Sequence, residues 1–105
     1  MDWIRKETET PQDGKRVLVW HRLGGAMVET GAEVKRNPFI THWAEIDRIK
    51  WTDRKDRLPE ARDTDHTGCV LATEQGREAR CVRYEFVRND GNFTRWASLP
   101  GKPEK

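Results

Sequence analysis

Short apolar clusters alternate with turn-forming residues along this chain, and no cluster repeats with the period of an amphipathic α-helix. Arg16–His21 is rich in β-branched and aromatic residues and predicts a strand that is covered on both faces. A weaker strand is predicted from about Met27 to Val34, and a third from about Phe39 to Ile46. Between the first two, Gly24-Gly25 can adopt the positive φ that a tight hairpin requires.

The second half of the chain predicts the same order of elements. Cys69–Ala72 is the counterpart of the first strand, and Glu74–Arg77 is typical of a hairpin turn. Cys81–Val87 alternates apolar and charged residues, which predicts a strand with one buried and one solvated face. Phe93–Leu99 is the last predicted strand.

Several short motifs of the first half return in the second. Trp3–Pro11 and Trp51–Pro59 are segments of equal length with the same first and last residues. Thr41–Ile46 reads Thr-His-Trp-Ala-Glu-Ile, and Thr94–Leu99 reads Thr-Arg-Trp-Ala-Ser-Leu. Self-similarity of this kind indicates two copies of one supersecondary unit.

The predicted fold class is all-β, with two β-β-β repeats packed as a pseudo-twofold antiparallel sandwich or flattened barrel. We expect a single domain of residues 1–105, with repeats of about 1–48 and 49–100 and a flexible tail of 101–105. One short helix within Glu45–Arg57 is the alternative to a third strand that continues into the junction. The residues expected in the core are Val17, Val19, Trp20, Val28, Ile40, Trp43, Ile46, Val70, Leu71, Val82, Tyr84, Phe86, Phe93, Trp96 and Leu99.

Charged residues make up 36% of the chain and apolar residues 34%, which predicts a densely charged surface around a small core. The 20 Lys and Arg and the 18 Asp and Glu are finely interleaved, and the net charge is +2. No apolar run approaches the length of a membrane span, and Met1–Lys6 has no apolar signal core. We therefore expect a cytoplasmic protein without membrane association, either a monomer or a homodimer.

Enzyme signatures are largely missing from the sequence. The one serine, Ser98, has no Gly-x-Ser-x-Gly setting, and no glycine loop suited to phosphate is present. We predict a protein that is not an enzyme and holds no cofactor. The alternative is a small metal-dependent enzyme with His66, Cys69 and Cys81 as ligands, whereas the simpler interpretation makes both cysteines small, buried apolar residues.

Aromatic residues interleaved with arginines suit single-stranded nucleic acid. The candidates for such a sheet face are Arg80, Arg83, Arg88 and Arg95. Acidic neighbours weaken the field, so an ion-paired, solvated face is the competing interpretation. His21 and His42 alternate with tryptophans and are expected at solvated strand positions.

A set of short motifs carries a family resemblance. They are Trp3-Ile4, Val17-Leu18-Val19 and Ile40-Thr41-His42-Trp43 in the first repeat, and Arg57-Leu58-Pro59, Val70-Leu71 and Thr94–Pro100 in the second. With these motifs the chain resembles a family of small proteins encoded by phages and prophages, known only as a domain of unknown function. It departs from that pattern at Glu9-Thr10-Pro11, where the family has Arg-Leu-Pro, and at Ala44-Glu45-Ile46, where it has Met-Pro-Leu.

The resemblance implies a phage accessory protein, and such proteins often bind host or phage proteins. The leading hypothesis is a non-enzymatic inhibitor of a bacterial defence system, such as a CRISPR effector, that acts by steric or electrostatic occlusion of a host or phage protein complex. Loops are the expected contact sites because they vary without disturbing a core. The candidate contact residues are Arg36, Asn37, Phe39, Asp63, Asp65, His66, Arg88, Asn89, Asp90 and Asn92. Direct nucleic-acid binding is the second hypothesis.

Overall fold

A computed structural model describes residues 3–103 of the chain. Those residues form eight β-strands and two short α-helices, together with 3-10 turns at Ile46–Arg48 and Ala61–Asp63. The strands are β1 (Ile4–Arg5), β2 (Arg16–His21), β3 (Gly25–Thr30), β4 (Ile40–Ala44), β5 (Thr52–Asp53), β6 (Cys69–Glu74), β7 (Arg80–Arg83) and β8 (Phe93–Ala97), and the helices are α1 (Gly31–Arg36) and α2 (Tyr84–Asn89). Neither helix is long and apolar enough to cross a bilayer.

The chain divides into two compact units, one of residues 1–48 with 102–105 and one of residues 49–101. In the first, the strands are ordered β1-β4-β2-β3, and every pairing is antiparallel. In the second, the order is β5-β8-β6-β7, again antiparallel throughout. Each unit places its helix between its last two strands in the sequence.

The two sheets share their register as well as their strand order. Val19 lies opposite Trp43 in the first sheet, and Ala72 lies opposite Trp96 in the second. Each central pairing shifts at one point, after Trp20 in the first sheet and after its counterpart in the second. The predicted all-β class and its two repeats are therefore confirmed, and each repeat also contains a fourth short strand and a helix.

Equivalent hydrogen bonds extend the repeat into the loops. The Trp43 indole donates from Nε1 to the Glu9 carbonyl at 2.8 Å, and the Trp96 indole donates to the Arg57 carbonyl at 2.9 Å. The side chain of Lys6 donates to two carbonyls at the end of α1. Arg54, at the equivalent position, donates to two carbonyls of α2. In each unit one tryptophan thus holds a loop to the sheet, and one cation holds the segment after the first strand to the end of the helix.

Each unit has its own hydrophobic cluster. In the first, Val34 of α1 packs against Val17, Val19, Ile40 and Trp43 of the sheet. In the second, Val87 of α2 packs in the same way, and the other buried members are Val70, Ala72, Val82, Phe93 and Trp96. In each unit the helix therefore adds one buried valine to the apolar cluster of the sheet.

Two strand predictions are wrong beyond their first residues. The strand predicted over Met27–Val34 ends at Thr30, and the one predicted over Cys81–Val87 ends at Arg83, because a helix follows in both cases. Each helix has only six residues and one fully buried valine, too few positions to show a helical period in the sequence. Thr30 caps α1 by accepting a hydrogen bond from the Glu33 N–H.

The predicted core is correct for most of its members and wrong for Phe86, which is 57% exposed on α2. Trp20, Val28, Ile46 and Tyr84 are only partly buried. The third predicted strand ends at Ala44. A short 3-10 turn follows at Ile46–Arg48, within the segment where a short helix is the alternative prediction. The predicted tail falls partly on residues 104 and 105, which lie outside the described residues.

Candidate functional site

Three large apolar side chains are exposed among the described residues. Leu23 is 78% exposed in the turn between β2 and β3, Phe39 is 45% exposed just before β4, and Phe86 is 57% exposed on α2. Isolated surface apolar residues are ordinary in globular proteins. Leu23 and Phe39 differ from Phe86 because they lie together at the same end of one unit.

Backbone and ring contacts hold Leu23 and Phe39 at that end of the first unit. The Arg22 N–H donates to the Phe39 carbonyl at 2.8 Å. The His21 ring stacks on the Phe39 ring with centroids 5.6 Å apart, and its Nδ1 accepts hydrogen bonds from the N–H groups of Leu23 and Gly24. We call Leu23 and Phe39 the apolar tip. Its backbone is fixed although its side chains face solvent.

The second unit shows which of these features the fold requires. It keeps the hydrogen bond between the two loops, with the Gln75 N–H donating to the Asn92 carbonyl at 2.9 Å. At the positions of Leu23 and Phe39, however, it has Gly76 and Asn92. The equivalent hydrogen bond between the loops therefore forms without an apolar tip, although the turn itself differs, because φ is positive at Gly76 and not at Leu23.

Two of the predicted contact residues, one after each helix, have turn-forming side chains. The Asn37 side chain accepts a hydrogen bond from the Phe39 N–H at 2.9 Å, and the Asp90 side chain accepts one from the Asn92 N–H at 3.0 Å. Asn37 and Asp90 are also the C-cap residues of α1 and α2. The other predicted contacts in these segments are Arg36, which pairs with Glu33, Arg88, which donates to the Pro59 carbonyl, and Asn89, which is exposed.

The predicted contact loop that contains Asp63, Asp65 and His66 is ordered by its own carboxylates. A two-pronged pair with Arg57, at 3.0 Å for each prong, lowers the pKa of Asp63. Burial disfavours ionisation of Asp65, but hydrogen bonds from Thr67 and from the Cys69 N–H outweigh it and lower its pKa. His66 is exposed beside them. The two carboxylates thus act within the loop.

The four arginines of the nucleic-acid hypothesis each make a contact within their own unit. Arg80 pairs with Glu74, and Arg83 lies 3.5 Å from Glu85. The Arg95 guanidinium lies over the Trp51 ring, 4.5 Å from its centroid. The fourth, Arg88, donates to a backbone carbonyl at 3.0 Å. Each of these cations therefore has a local partner in the second unit.

The metal alternative can be compared with the geometry around the cysteines. His66, Cys69 and Cys81 do not form a group of three ligands, and no other such group occurs within residues 3–103. Cys69 and Cys81 are on the adjacent strands β6 and β7 and are not joined by a disulfide. Burial, with a smaller contribution from Cys69, raises the pKa of Cys81 to about 12. Its thiol therefore stays protonated near neutral pH and is not a ready nucleophile.

A groove of about 390 Å³ lies in the first unit beside the apolar tip. Its lining includes Trp20 of β2 and His42 of β4, which are paired on neighbouring strands. His42 is only 7% exposed, so its predicted solvated position is wrong. The full lining, called here the first-unit groove, is Arg5, Glu7, Trp20, Arg22, Thr41, His42, Lys102 and Pro103. A second cavity, of about 480 Å³, adjoins Cys81 and Phe86 in the other unit.

Comparisons with protein-family models, with curated proteins and with solved structures give no match to this chain. The likeness to phage proteins therefore depends on the short motifs described above. The function is therefore inferred from the surfaces of the two units.

Proposed function

We propose that this chain is a small, non-enzymatic binding protein that recognises a partner protein through its apolar tip. The observation that carries the proposal is that Leu23 and Phe39 are exposed on a fixed backbone, while the second unit forms the equivalent hydrogen bond between its loops without them. Apolar side chains that a fold does not need, held at one end of a rigid unit, suit burial against another protein. Phe86 is exposed as well, but it lies on α2 of the second unit and is not part of the tip.

The partner class follows from the resemblance to phage accessory proteins. We propose that the protein acts in the bacterial cytoplasm and occludes a component of a host defence system, such as a CRISPR effector. Occlusion requires only a stable surface contact and no catalytic group. The local pairing of Arg80, Arg83, Arg88 and Arg95 supports a protein partner over direct nucleic-acid binding.

The test is a phage-interference assay in bacteria that carry a defined CRISPR system, with and without expression of this chain. Restored phage growth, together with co-purification of the effector, is the expected result. Unchanged interference in every CRISPR type tested, with no effector recovered at low salt, would contradict the proposal. Steep loss of a DNA or RNA complex with rising salt would instead favour the nucleic-acid hypothesis.

The apolar tip gives this test a defined variant. Phe39→Asn installs the residue that the second unit has at the same position, and Leu23→Ser removes the other apolar side chain. Full burial of one such side chain contributes about 1.5–3 kcal/mol, so each change should weaken partner binding roughly 10-fold to 100-fold. The control is Phe86→Glu, which installs the residue found at that position in the first unit.

Circular dichroism and thermal unfolding should show all three variants folded like the parent, because these side chains are exposed. If a variant binds more weakly because it no longer folds, that result would not support the apolar tip as the contact surface. Full affinity in the folded Phe39→Asn and Leu23→Ser variants would exclude the tip as the contact surface. Weaker binding of the control variant would place Phe86 in the interface as well.

A further inference from the structure

The first-unit groove has more positive charge than its one carboxylate can balance. Three cations line it, and of these Arg5 pairs with Glu7 at 2.8 Å. Arg22 and Lys102 are exposed and form no ion pair with another described residue. Two cations that converge on one groove therefore remain available to an anionic group.

The groove also has an aromatic floor that is held in place. Trp20 is partly exposed, and Trp3 meets it edge-on, with ring centroids 6.2 Å apart and planes at 69°. The neighbouring His42 ring is buried and forms a 2.8 Å hydrogen bond with the Thr41 hydroxyl. An indole fixed in this way offers a flat apolar surface at little entropic cost to a ligand.

The second unit again separates what the fold requires from what it does not. Its residues at the positions of Arg22 and Trp20 are Gln75 and Thr73, and at the position of Arg5 it has Asp53. The same strand pairings therefore form without the cation, the indole or the second arginine. These three features belong to the first unit alone.

We infer that the first-unit groove binds an acidic peptide segment of the partner protein, and this inference rests on the proposed function. Carboxylates of the segment pair with Arg22 and Lys102, and an apolar side chain beside them packs on Trp20. The groove adjoins the apolar tip at Arg22, which lines the groove, precedes Leu23 in the chain and donates its N–H to the Phe39 carbonyl. One segment of the partner can therefore cover both surfaces.

The charges favour a peptide over nucleic acid as the occupant. Glu7 lies in the groove and neutralises Arg5, so a phosphate backbone that follows the groove would meet a carboxylate. The net charge of the whole chain is only +2, whereas tight binding to a polyanion relies on many released counterions. A volume of about 390 Å³ is at the small end for ligand sites and suits one or two side chains.

Nuclear magnetic resonance titration of the whole chain tests this inference. The probe is a short peptide of glutamates around a central phenylalanine, and its counterpart carries glutamines in place of the glutamates. The expected result is a shift of the Trp20 indole and Arg22 amide resonances with the acidic peptide and at least tenfold weaker binding of the glutamine peptide. Oligothymidylate is the third probe.

Two double variants separate the groove from general electrostatics. Arg22→Gln with Lys102→Gln removes both available cations and should weaken acidic-peptide binding at least tenfold. Lys55→Gln with Arg77→Gln removes the same total charge from exposed sites in the second unit and should leave the affinity unchanged. Equal weakening by both double variants would overturn the inference.

The remaining outcomes are equally decisive. No shift of Trp20 with the acidic peptide, or tighter binding of oligothymidylate, would overturn the peptide inference. The proposed function would still stand if Phe39→Asn abolished capture of the partner. Conversely, acidic-peptide binding that depends on Arg22 and Lys102, in a protein whose tip variants bind the partner normally, would support the groove and contradict the tip.

Discussion

Gly31 occupies the tightest position in the first unit. Its N–H donates to the Lys15 carbonyl at 2.9 Å where β3 passes into α1. A Cβ at this residue would lie 1.9 Å from the carbonyl oxygen of Gln12, which is a backbone atom. No rotamer change can relieve such an overlap, so the loop and the helix would have to separate.

Gly31→Ala should therefore destabilise the fold by about 3 kcal/mol, at the upper end of overpacking effects. Gly14→Ala is the matched control, because a Cβ there meets no atom within 4 Å. Urea unfolding of both variants measures the difference. Equal stability of the two variants would contradict the close approach of Gln12 to the start of α1.

Asp65 accepts hydrogen bonds from Thr67 and from the Cys69 N–H, and its pKa is lowered below the ordinary 3.8. In the unfolded chain this carboxyl binds its proton at a higher pH than in the folded protein. The stabilisation is therefore complete above about pH 4 and is lost as the pH falls through the folded-state pKa.

Asp65→Asn keeps an accepting oxygen but removes the titration. The variant should be about 1 kcal/mol less stable than the parent near neutral pH, and the gap should narrow below about pH 4. Chemical unfolding across the pH range measures both quantities. A gap that stays constant or widens on acidification would show that Asp65 is not stabilised as a carboxylate.

At the scale of elements, the two loop-fastening indoles are the clearest equivalents. Trp43→Phe and Trp96→Phe each remove one hydrogen bond to a loop carbonyl, at 2.8 and 2.9 Å. Each should cost about 1 kcal/mol for the hydrogen bond, plus a similar amount for the lost ring volume, because both sites are buried. The two losses should be of similar size, about 2 kcal/mol each.

Trp51→Phe is the control for this pair. Trp51 is only partly buried and makes its contact with Arg95 through the ring face, which a phenyl ring partly retains. Its loss should stay below about 0.5 kcal/mol. A large loss for only one of the two buried indoles would indicate that the two loops are not fastened alike.

The strands could be predicted from the sequence more fully than the helices. β-Branched and aromatic residues predict strands at Arg16–His21 and Phe93–Ala97, and both strands form. The helices α1 and α2 each place a single valine on the core, so their pattern does not differ from that of a strand. The Thr30-x-x-Glu33 capping pattern was the one available signal for α1, and α2 has no side-chain cap.

The candidate sites divide along the same line. Phe39 was predicted as a contact residue from its loop position, and the structure places it at the surface. The first-unit groove could not be predicted, because it combines residues from β1, β2, β4 and the segment at 102–103. Register places Trp20 opposite His42, and only the fold brings Lys102 near them.

At the scale of the whole molecule, each copy of the duplicated unit serves as an internal control for the other. Two copies of one unit show which residues the fold needs, such as Trp43 and Trp96, and which it does not, such as Leu23 and Trp20. The residues of the second kind are the ones we assign to partner recognition. That assignment requires the two units to be equivalent in structure.

Scalar couplings across backbone hydrogen bonds, measured by nuclear magnetic resonance, test that equivalence most directly. The Gly31 N–H should couple to the Lys15 carbonyl and the Tyr84 N–H to the Gly68 carbonyl, since each bond closes the entry to its helix. Structural equivalence predicts both couplings, with helical chemical shifts in the residues that follow each. A coupling seen only at Gly31, with strand-like shifts over Tyr84–Asn89, would contradict it.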